Sequence, residues 1–257
     1  MDGDDPRAFY DSLAGDYHLM FGDWWASAQR QGEILGALLR RHGVGPPASV
    51  LDCTCGIGTQ ALPLALQGYR VTGSDVSEQA VHRARAEARR RGIDVRVMTA
   101  DVRRIAEVFA QPFDAVISAD NSLPHLLTDA ILSLALVAIR RCLDPGGLFL
   151  ASIRDYDALV RDLVPGIVPT EYGQDADRRI VGQAWTWASD RRTVRITVFI
   201  LKQVGSGWTA DVRSTRYRAL QRAEMTAALT SSGFADVQWL DPDETGYYQP
   251  IVTARTG

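Results

Sequence analysis

The chain has 257 residues, 46% hydrophobic and 23% charged, with a net charge of −3 and a pI near 5.8. At roughly 150 residues per domain that length allows one large domain or two small ones, and the apolar share excludes global disorder. No run approaches the roughly 20 apolar residues of a membrane span, and Met1 to Arg7 carries three Asp and no apolar stretch, so no secretory signal is expected.

In chain order, the region before Gly45 reads as helical and is dense in aromatics: Phe9, Tyr10, Tyr17, Phe21, Trp24 and Trp25. From the Gly45-Pro46-Pro47 break, apolar runs alternate between strand-like and helical periods, the pattern of a doubly wound α/β sheet. Ser49 to Cys53 is a buried first strand, Thr59 to Gln67 a helix ended by Gly68, and Tyr69 to Asp75 a second strand. Ser77 to Arg91 is a helix with Ser77 as its N-cap. Val95 to Thr99, Phe113 to Ala119 and Leu148 to Ile153 supply further strands, and the helix Leu132 to Leu143 is stopped by Asp144-Pro145-Gly146-Gly147. After Arg154 the rhythm changes. Ile180 to Ala188, Thr193 to Val204 and Trp208 to Tyr217 are long strand-like runs joined by hairpin signals, so an antiparallel layer is expected there. A helix (Glu224 to Ser231) and two strands (Ala235 to Leu240, Gln249 to Ala254) follow.

Three cysteines, Cys53, Cys55 and Cys142, are too few for a disulfide framework and fit a reducing cytoplasm. Cys53-x-Cys55 without further Cys or His nearby is a poor zinc motif, so no metal is expected. The basic residues are 27 Arg and one Lys, outweighed by 31 acids, so no nucleic-acid partner is expected.

The sharpest motif is Leu51-Asp52-Cys53-Thr54-Cys55-Gly56-Ile57-Gly58-Thr59, a strand that turns through two glycines into a helix. Glycines there let the backbone approach a ligand, and a helix start offers oriented N–H donors. Asp75 follows Gly58 by 17 positions at the end of the second strand, where an acid meets ribose hydroxyls. That much also fits a nicotinamide site. Asp52, four residues ahead of Gly56, instead suits an amino-bearing ligand, and Asp101, in Thr99-Ala100-Asp101-Val102, offers a third carboxylate at a strand end.

With acids after strands one, two and three, the segment from Ser49 to Ile153 resembles the class I S-adenosylmethionine-dependent methyltransferases. The resemblance implies a Rossmann-like, mainly parallel seven-stranded sheet, with Asp52, Gly56 and Gly58 at the methionine end of the cofactor, Asp75 at the ribose, Asp101 with the Val102 amide at the adenine, and Ala119 at the fourth-strand end. Asn121-Ser122-x-x-His125-Leu126, followed by Arg154-x-Tyr156-Asp157, is similar to the glycine/sarcosine N-methyltransferase branch. There the Asn and His lie between cofactor and substrate and the Arg clamps a carboxylate, a task suited to its planar fork. The N-terminal aromatic segment looks like that branch's lid. This implies Tyr10 at the substrate, Tyr17 and Trp24 over the sulfonium, and Arg30 on the methionine carboxylate, with Tyr172 and Tyr217 completing the pocket wall. Phe199 stands where relatives can carry a Tyr, which points to an altered pocket. The lid and the Gly246-Tyr247-Tyr248-Gln249-Pro250 tail also look similar to antibiotic-pathway N-methyltransferases, including those of lincosamide assembly.

The expected organisation is one methyltransferase domain over 1–257: a helical lid (1–45), a cofactor-binding core (46–154), an antiparallel substrate insertion (155–220) and the end of the core sheet (221–257). The expected function is S-adenosylmethionine-dependent N-methylation of a small-molecule amine by a cytoplasmic enzyme, a homo-oligomer being one possibility. Tyr17, Asn121 and His125 would orient the amine, and His125 or Asp120 would take its proton through water. Two alternatives stay open: a small-molecule O-methyltransferase, and a catalytically silent cofactor-binding regulator.

Overall fold

The computed structural model describes residues 5–257; the first four residues of the acidic start, on which the absence of a leader was read, lie outside them. Alternating burial sets the architecture. Val50 and Leu51 on adjacent positions are both fully buried, but against opposite layers of helices, so their strand runs through the middle of the molecule. The elements in order are α1 (Pro6–Leu13), α2 (Trp24–Arg41), β1 (Ser49–Asp52), α3 (Ala61–Leu66), β2 (Arg70–Asp75), α4 (Glu78–Arg91), β3 (Arg96–Thr99), β4 (Phe113–Ser118), α5 (Asp129–Arg141), β5 (Leu143–Ser152), α6 (Tyr156–Asp162), β6 (Gly166–Tyr172), β7 (Arg179–Trp187), β8 (Thr193–Val204), β9 (Gly207–Arg218), α7 (Arg222–Ser231), β10 (Phe234–Leu240), α8 (Pro242–Thr245) and β11 (Ile251–Thr256).

Seven strands form one sheet in the order β10-β11-β5-β4-β1-β2-β3. β1 to β5 pair in parallel, while β11 runs antiparallel to β5 and β10 antiparallel to β11. On one face Val50, Ile117, Leu148 and Leu150 meet Leu35 and Leu39 of α2, Leu64 of α3 and Val81 of α4. On the other, Leu51, Val116 and Phe149 meet Leu132, Leu136 and Ile139 of α5 and Met225 and Leu229 of α7. Strand order reverses at β1, between β4 and β2, so the ends of β1, β2 and β4 open a crevice at the carboxyl edge of the sheet, where ligands bind in such folds. Ser77 caps α4 as expected, its hydroxyl accepting from the Ala80 amide at 3.0 Å.

The second sheet, β6-β7-β8-β9, is antiparallel throughout. β8 alternates, burying Val194, Ile196, Val198 and Ile200 against Phe9 and Leu13 of α1 and Tyr156 of α6. Two polar clamps fasten the N-terminal segment to this sheet. Arg179 donates to the carbonyls of Leu19 at 2.9 Å and Phe21 at 2.6 Å. Asp16 accepts from Lys202 at 2.8 Å and Arg213 at 2.9 Å. Burial opposes the charge on Asp16, but those two cations hold its carboxyl below the usual range. Among the described residues no helix is long and apolar enough to cross a membrane.

β1 ends in Asp52, which is fully buried. Oδ1 takes a long hydrogen bond from the Thr54 amide at 3.4 Å, and Oδ2 has no partner. Burial pushes this carboxyl up to about 8, against the pull of the Thr54 and Ala61 amides. An aspartate in the unfolded chain ionises near pH 3.9. The folded state therefore holds a proton that the unfolded state has lost, and stability falls as pH rises from about 4 to about 8. Asp52→Asn removes that loss. Its melting temperature should exceed that of the native sequence by a margin that widens from pH 5 to pH 8 in thermal unfolding; parallel curves for the two proteins would contradict the assignment.

Candidate active site

At the carboxyl edge of the sheet lies a cavity of about 340 Å³, walled by α1, the turn after β1 and the ends of β2, β3 and β4. Of the residues expected at a ligand, Tyr10, Tyr17, Gly56, Asp75, Asp101, Val102 and His125 line it. Gly56 has φ +52°, and the space a Cβ would take there is open to 4 Å, so the turn presents bare backbone to the cavity. Asp75 Oδ2 accepts from the Gly56 amide and Oδ1 from the Ser77 amide, both at 2.9 Å. Burial raises its carboxyl above the ordinary value while those amides act against it. Two of the four acceptor positions of this carboxylate remain for a ligand. Asp101 caps the 3-10 turn after β3 and also pairs with the Arg103 guanidinium at 2.9 Å. Burial raises the Asp101 carboxyl, and Arg103 more than reverses that, holding it below its usual range.

Other expected contacts lie elsewhere. Gly58, with φ +94°, does not line the cavity; a Cβ there would come within 2.8 Å of Leu62 Cγ, so it is required by the packing of the turn on α3. Asp52 and Ala119 are buried one residue behind wall residues Cys53 and Asp120, and the Ala119 carbonyl accepts from Ser122 Oγ at 2.9 Å. Trp24 is also one layer back, donating its indole N–H at 3.1 Å to Oγ1 of the wall residue Thr59. Arg30 is exposed on α2, whose inner face carries Trp24, Ala28 and Gln31, and it does not line the cavity. Tyr172 is on the edge strand β6, beside the Arg179 guanidinium, 5.4 Å from its ring, and it lines neither the cavity nor the chamber described next.

A smaller chamber of about 50 Å³ lies between α1, the ends of β4 and β5, and the antiparallel sheet. Tyr10, Tyr17 and Asp120 line both spaces, and Asn121, Arg154, Gln183, Thr215 and Tyr217 line the inner one. The Asn121 amide ties this wall together, accepting from the Arg154 backbone at 3.0 Å and donating to the Tyr156 hydroxyl at 3.1 Å. The Arg154 guanidinium donates to Gln183 Oε1 at 3.3 Å and lies 4.9 Å from the Trp185 ring and 5.6 Å from that of Tyr217. Its Nη1 is buried without a hydrogen-bond partner, as is Thr215 Oγ1. The neighbouring Asp155 and Asp157 serve Arg222 instead. The Tyr10 hydroxyl is 3.0 Å from His125 Nε2 and 3.2 Å from the Tyr217 hydroxyl. Burial, reinforced by the Arg154 charge, pushes His125 down to about 3, so its imidazole is neutral at neutral pH and a poor proton acceptor.

Gln183, Thr215 and Trp185 escaped sequence reasoning, because their place at the site depends on how the second sheet is set against the first. Tyr248 escaped too, although its segment had been singled out: its hydroxyl reaches Asp120 Oδ1 from the loop before β11.

Residues 50–147 match a family described as "Methyltransferase domain". The glycine/sarcosine N-methyltransferase of Parasynechococcus marenigrum (strain WH8102) is 33% identical over 138 residues, 54% of this chain and 48% of that protein. That of Aphanothece halophytica is 28% identical over 138 residues, 54% of this chain and 51% of that protein. The chain thus spans about half the length of the curated relatives it matches. Among solved structures, Streptomyces venezuelae DesVI has a TM-score of 0.75 at 21% identity, covering 98% of this chain and 99% of that one. The amino pentose methyltransferase CalS10 of Micromonospora echinaspora, solved with bound S-adenosylmethionine, has a TM-score of 0.71 at 19% identity, covering 91% and 92%. These likenesses extend over the second sheet as well as the first and show that the fold is shared. Residues 50–147 thus match a methyltransferase domain, set in a fold that this chain shares with S-adenosylmethionine-dependent methyltransferases.

Proposed function

We propose that the larger cavity holds S-adenosylmethionine and that the chain transfers its methyl group to the amine of a small molecule seated in the inner chamber. The observation that carries this reading is the meeting of the two spaces at Tyr10, Tyr17 and Asp120, with the strand-end acids on one side and the incompletely paired Arg154 on the other. Bound there, the cofactor supplies an electrophilic methyl on a sulfonium. The bare Gly56 backbone gives it room, the free acceptor positions on Asp75 suit ribose hydroxyls, and Asp101 with the Val102 amide suits an adenine edge. A cationic amino group would also relieve the unpartnered Asp52 Oδ2 just behind the wall.

The chain's own part is mainly to position and to keep dry. Tyr10 and Tyr17, held over the junction by the lid, exclude water from a reaction in which charge disperses, which favours the transition state over a hydrated ground state. Alignment of the two reactants is worth on the order of 7–11 kcal/mol in good cases. The chamber has room for an amine and its nearest substituents, and Arg154 Nη1 offers its free N–H to a carboxylate or carbonyl oxygen on the acceptor. An amino acid, or an amino-acid-derived natural-product intermediate such as a lincosamide precursor, meets those demands. The glycine/sarcosine relatives and the amino-sugar enzyme of like fold support amine chemistry.

Mass-spectrometric screening of amines from glycine to cyclic amino acids and their amides should return a methylated product; no added methyl on any of them would count against the reading. Asp75→Ala should weaken S-adenosylhomocysteine binding at least tenfold by calorimetry, since charge-assisted hydrogen bonds contribute roughly 1.5–3 kcal/mol, and unchanged affinity would remove Asp75 from the ribose. Arg154→Ala should raise KM for the amine at least tenfold and leave cofactor affinity alone. An unchanged KM would show that the acceptor's oxygen lies elsewhere.

A further inference from the structure

Asp120 occupies a backbone position that favours glycine. Its φ is +60° and that of Asn121 +65°, so two consecutive side-chain-bearing residues adopt the left-handed conformation at the end of β4. Asn121 has structural reason to be there, since its amide joins the Arg154 backbone to Tyr156. Asp120 braces nothing comparable with its carboxylate. Oδ2 accepts from the Tyr17 hydroxyl at 2.7 Å and Oδ1 from that of Tyr248, and among the described residues no cation pairs with it. The turn thus aims a carboxylate at the junction of the two spaces, with two acceptor positions still open.

The groups that face it are Tyr17 from the lid, Tyr248 from the loop before β11 and, with longer-range charge, Arg154 from beyond β5. Tyr10, Tyr217 and His125 form the adjoining hydrogen-bonded set. Burial holds Tyr10, Tyr17 and Tyr217 as phenols and His125 as neutral imidazole, and the Asp120 charge beside the more exposed Tyr248 keeps that hydroxyl protonated, which leaves Asp120 as the anionic acceptor at the junction. Burial also lifts its carboxyl above the ordinary value, while the two tyrosine hydroxyls and Arg154 limit the rise, so it is a better proton acceptor than a surface aspartate.

We propose that Asp120 is the residue that receives the acceptor's ammonium group at the point of methyl transfer. This rests on the reading of the larger cavity as the methyl donor's site. An amine arriving protonated gives an N–H to the open side of the carboxylate. Asp120 takes that proton, leaving the nitrogen its lone pair. The N–C bond then forms as the methyl–sulfur bond breaks, with that bond's electron pair passing to sulfur. The methylated nitrogen leaves as an ammonium, and the proton on Asp120 returns to solvent. Tyr17 and Tyr248 act as positioning residues, fixing the carboxylate in its strained turn.

The placement can be tested without knowing the acceptor. Sinefungin carries an ammonium-bearing carbon in place of the methylated sulfonium, whereas S-adenosylhomocysteine is uncharged there. Calorimetric titration of both into the native protein, Asp120→Asn and Asp120→Gly gives a preference ratio; the glycine variant relieves the backbone strain, so loss of folding cannot mimic the result. The native protein should prefer sinefungin at least tenfold, and both variants should lose about tenfold of that preference while binding S-adenosylhomocysteine within twofold of the native affinity. A native protein with no preference, or variants that keep it, overturns the proposal. Methylation in the amine screen with an unchanged ratio removes Asp120 alone. A ratio that collapses in both variants without methylation of any amine leaves the cation at Asp120 and removes the amine acceptor.

Discussion

One chain of hydrogen bonds joins the elements that make the site. Asp75, at the end of β2, accepts the Gly56 amide from the turn after β1 and the Ser77 amide at the start of α4. Ser77 in turn caps α4 and donates its hydroxyl at 2.6 Å to Asp11 of α1, which also accepts from the Gln79 amide. Two carboxylates thereby satisfy amides at and before the first turn of α4, where the helix dipole favours negative charge. The glycine turn, the end of β2, α4 and the lid are thus placed with respect to one another before any ligand enters. A carboxylate on the cavity wall thus also holds together the elements around it.

The other side of the lid is fixed by different means. Asp16 and Arg179 fasten it to the antiparallel sheet, and Phe9 and Leu13 bury themselves between that sheet and α6. The lid is therefore bound to both sheets, and the junction of the two spaces lies beneath it. The order in the inner chamber follows from cost. A guanidinium with a buried, unpartnered N–H and a threonine hydroxyl in the same state are expensive to keep; in the proposed function their partner is the acceptor.

Much of the fold was legible because a parallel sheet between two helix layers must write its strands as short apolar runs, and β1 to β5 are of that kind. β6 was not, because as an edge strand it buries almost nothing: Ile167 and Val168 are exposed, and Pro169 breaks the pattern. The two-turn α6 offered too few residues for a period to show. Of the residues carried by a strand end or its turn, Gly56, Asp75, Asp101, Val102 and Asn121 line the two spaces, while Asp52, Gly58 and Ala119 lie behind the wall. Positions on helices and on the second sheet divided: Tyr10 of α1 and Tyr217 of β9 line the spaces, whereas Trp24, Arg30 and Tyr172 do not. Arg30 and Trp24 occupy one helix, and a rotation of about 100° per residue decides which of them faces inward; neither reaches the cavity wall.

What the sequence determined by itself was therefore the sheet, its carboxyl edge and the acids along that edge, since burial period and glycine turns are local properties of the chain. Only the tertiary structure decided which groups meet where the two spaces join. Tyr17 and Asp120 are 103 positions apart, and Tyr248 is a further 128 away from Asp120. Their contact depends on the lid, β4 and the loop before β11 converging on one place. No local pattern encodes that convergence, because it is set by long-range packing against the second sheet.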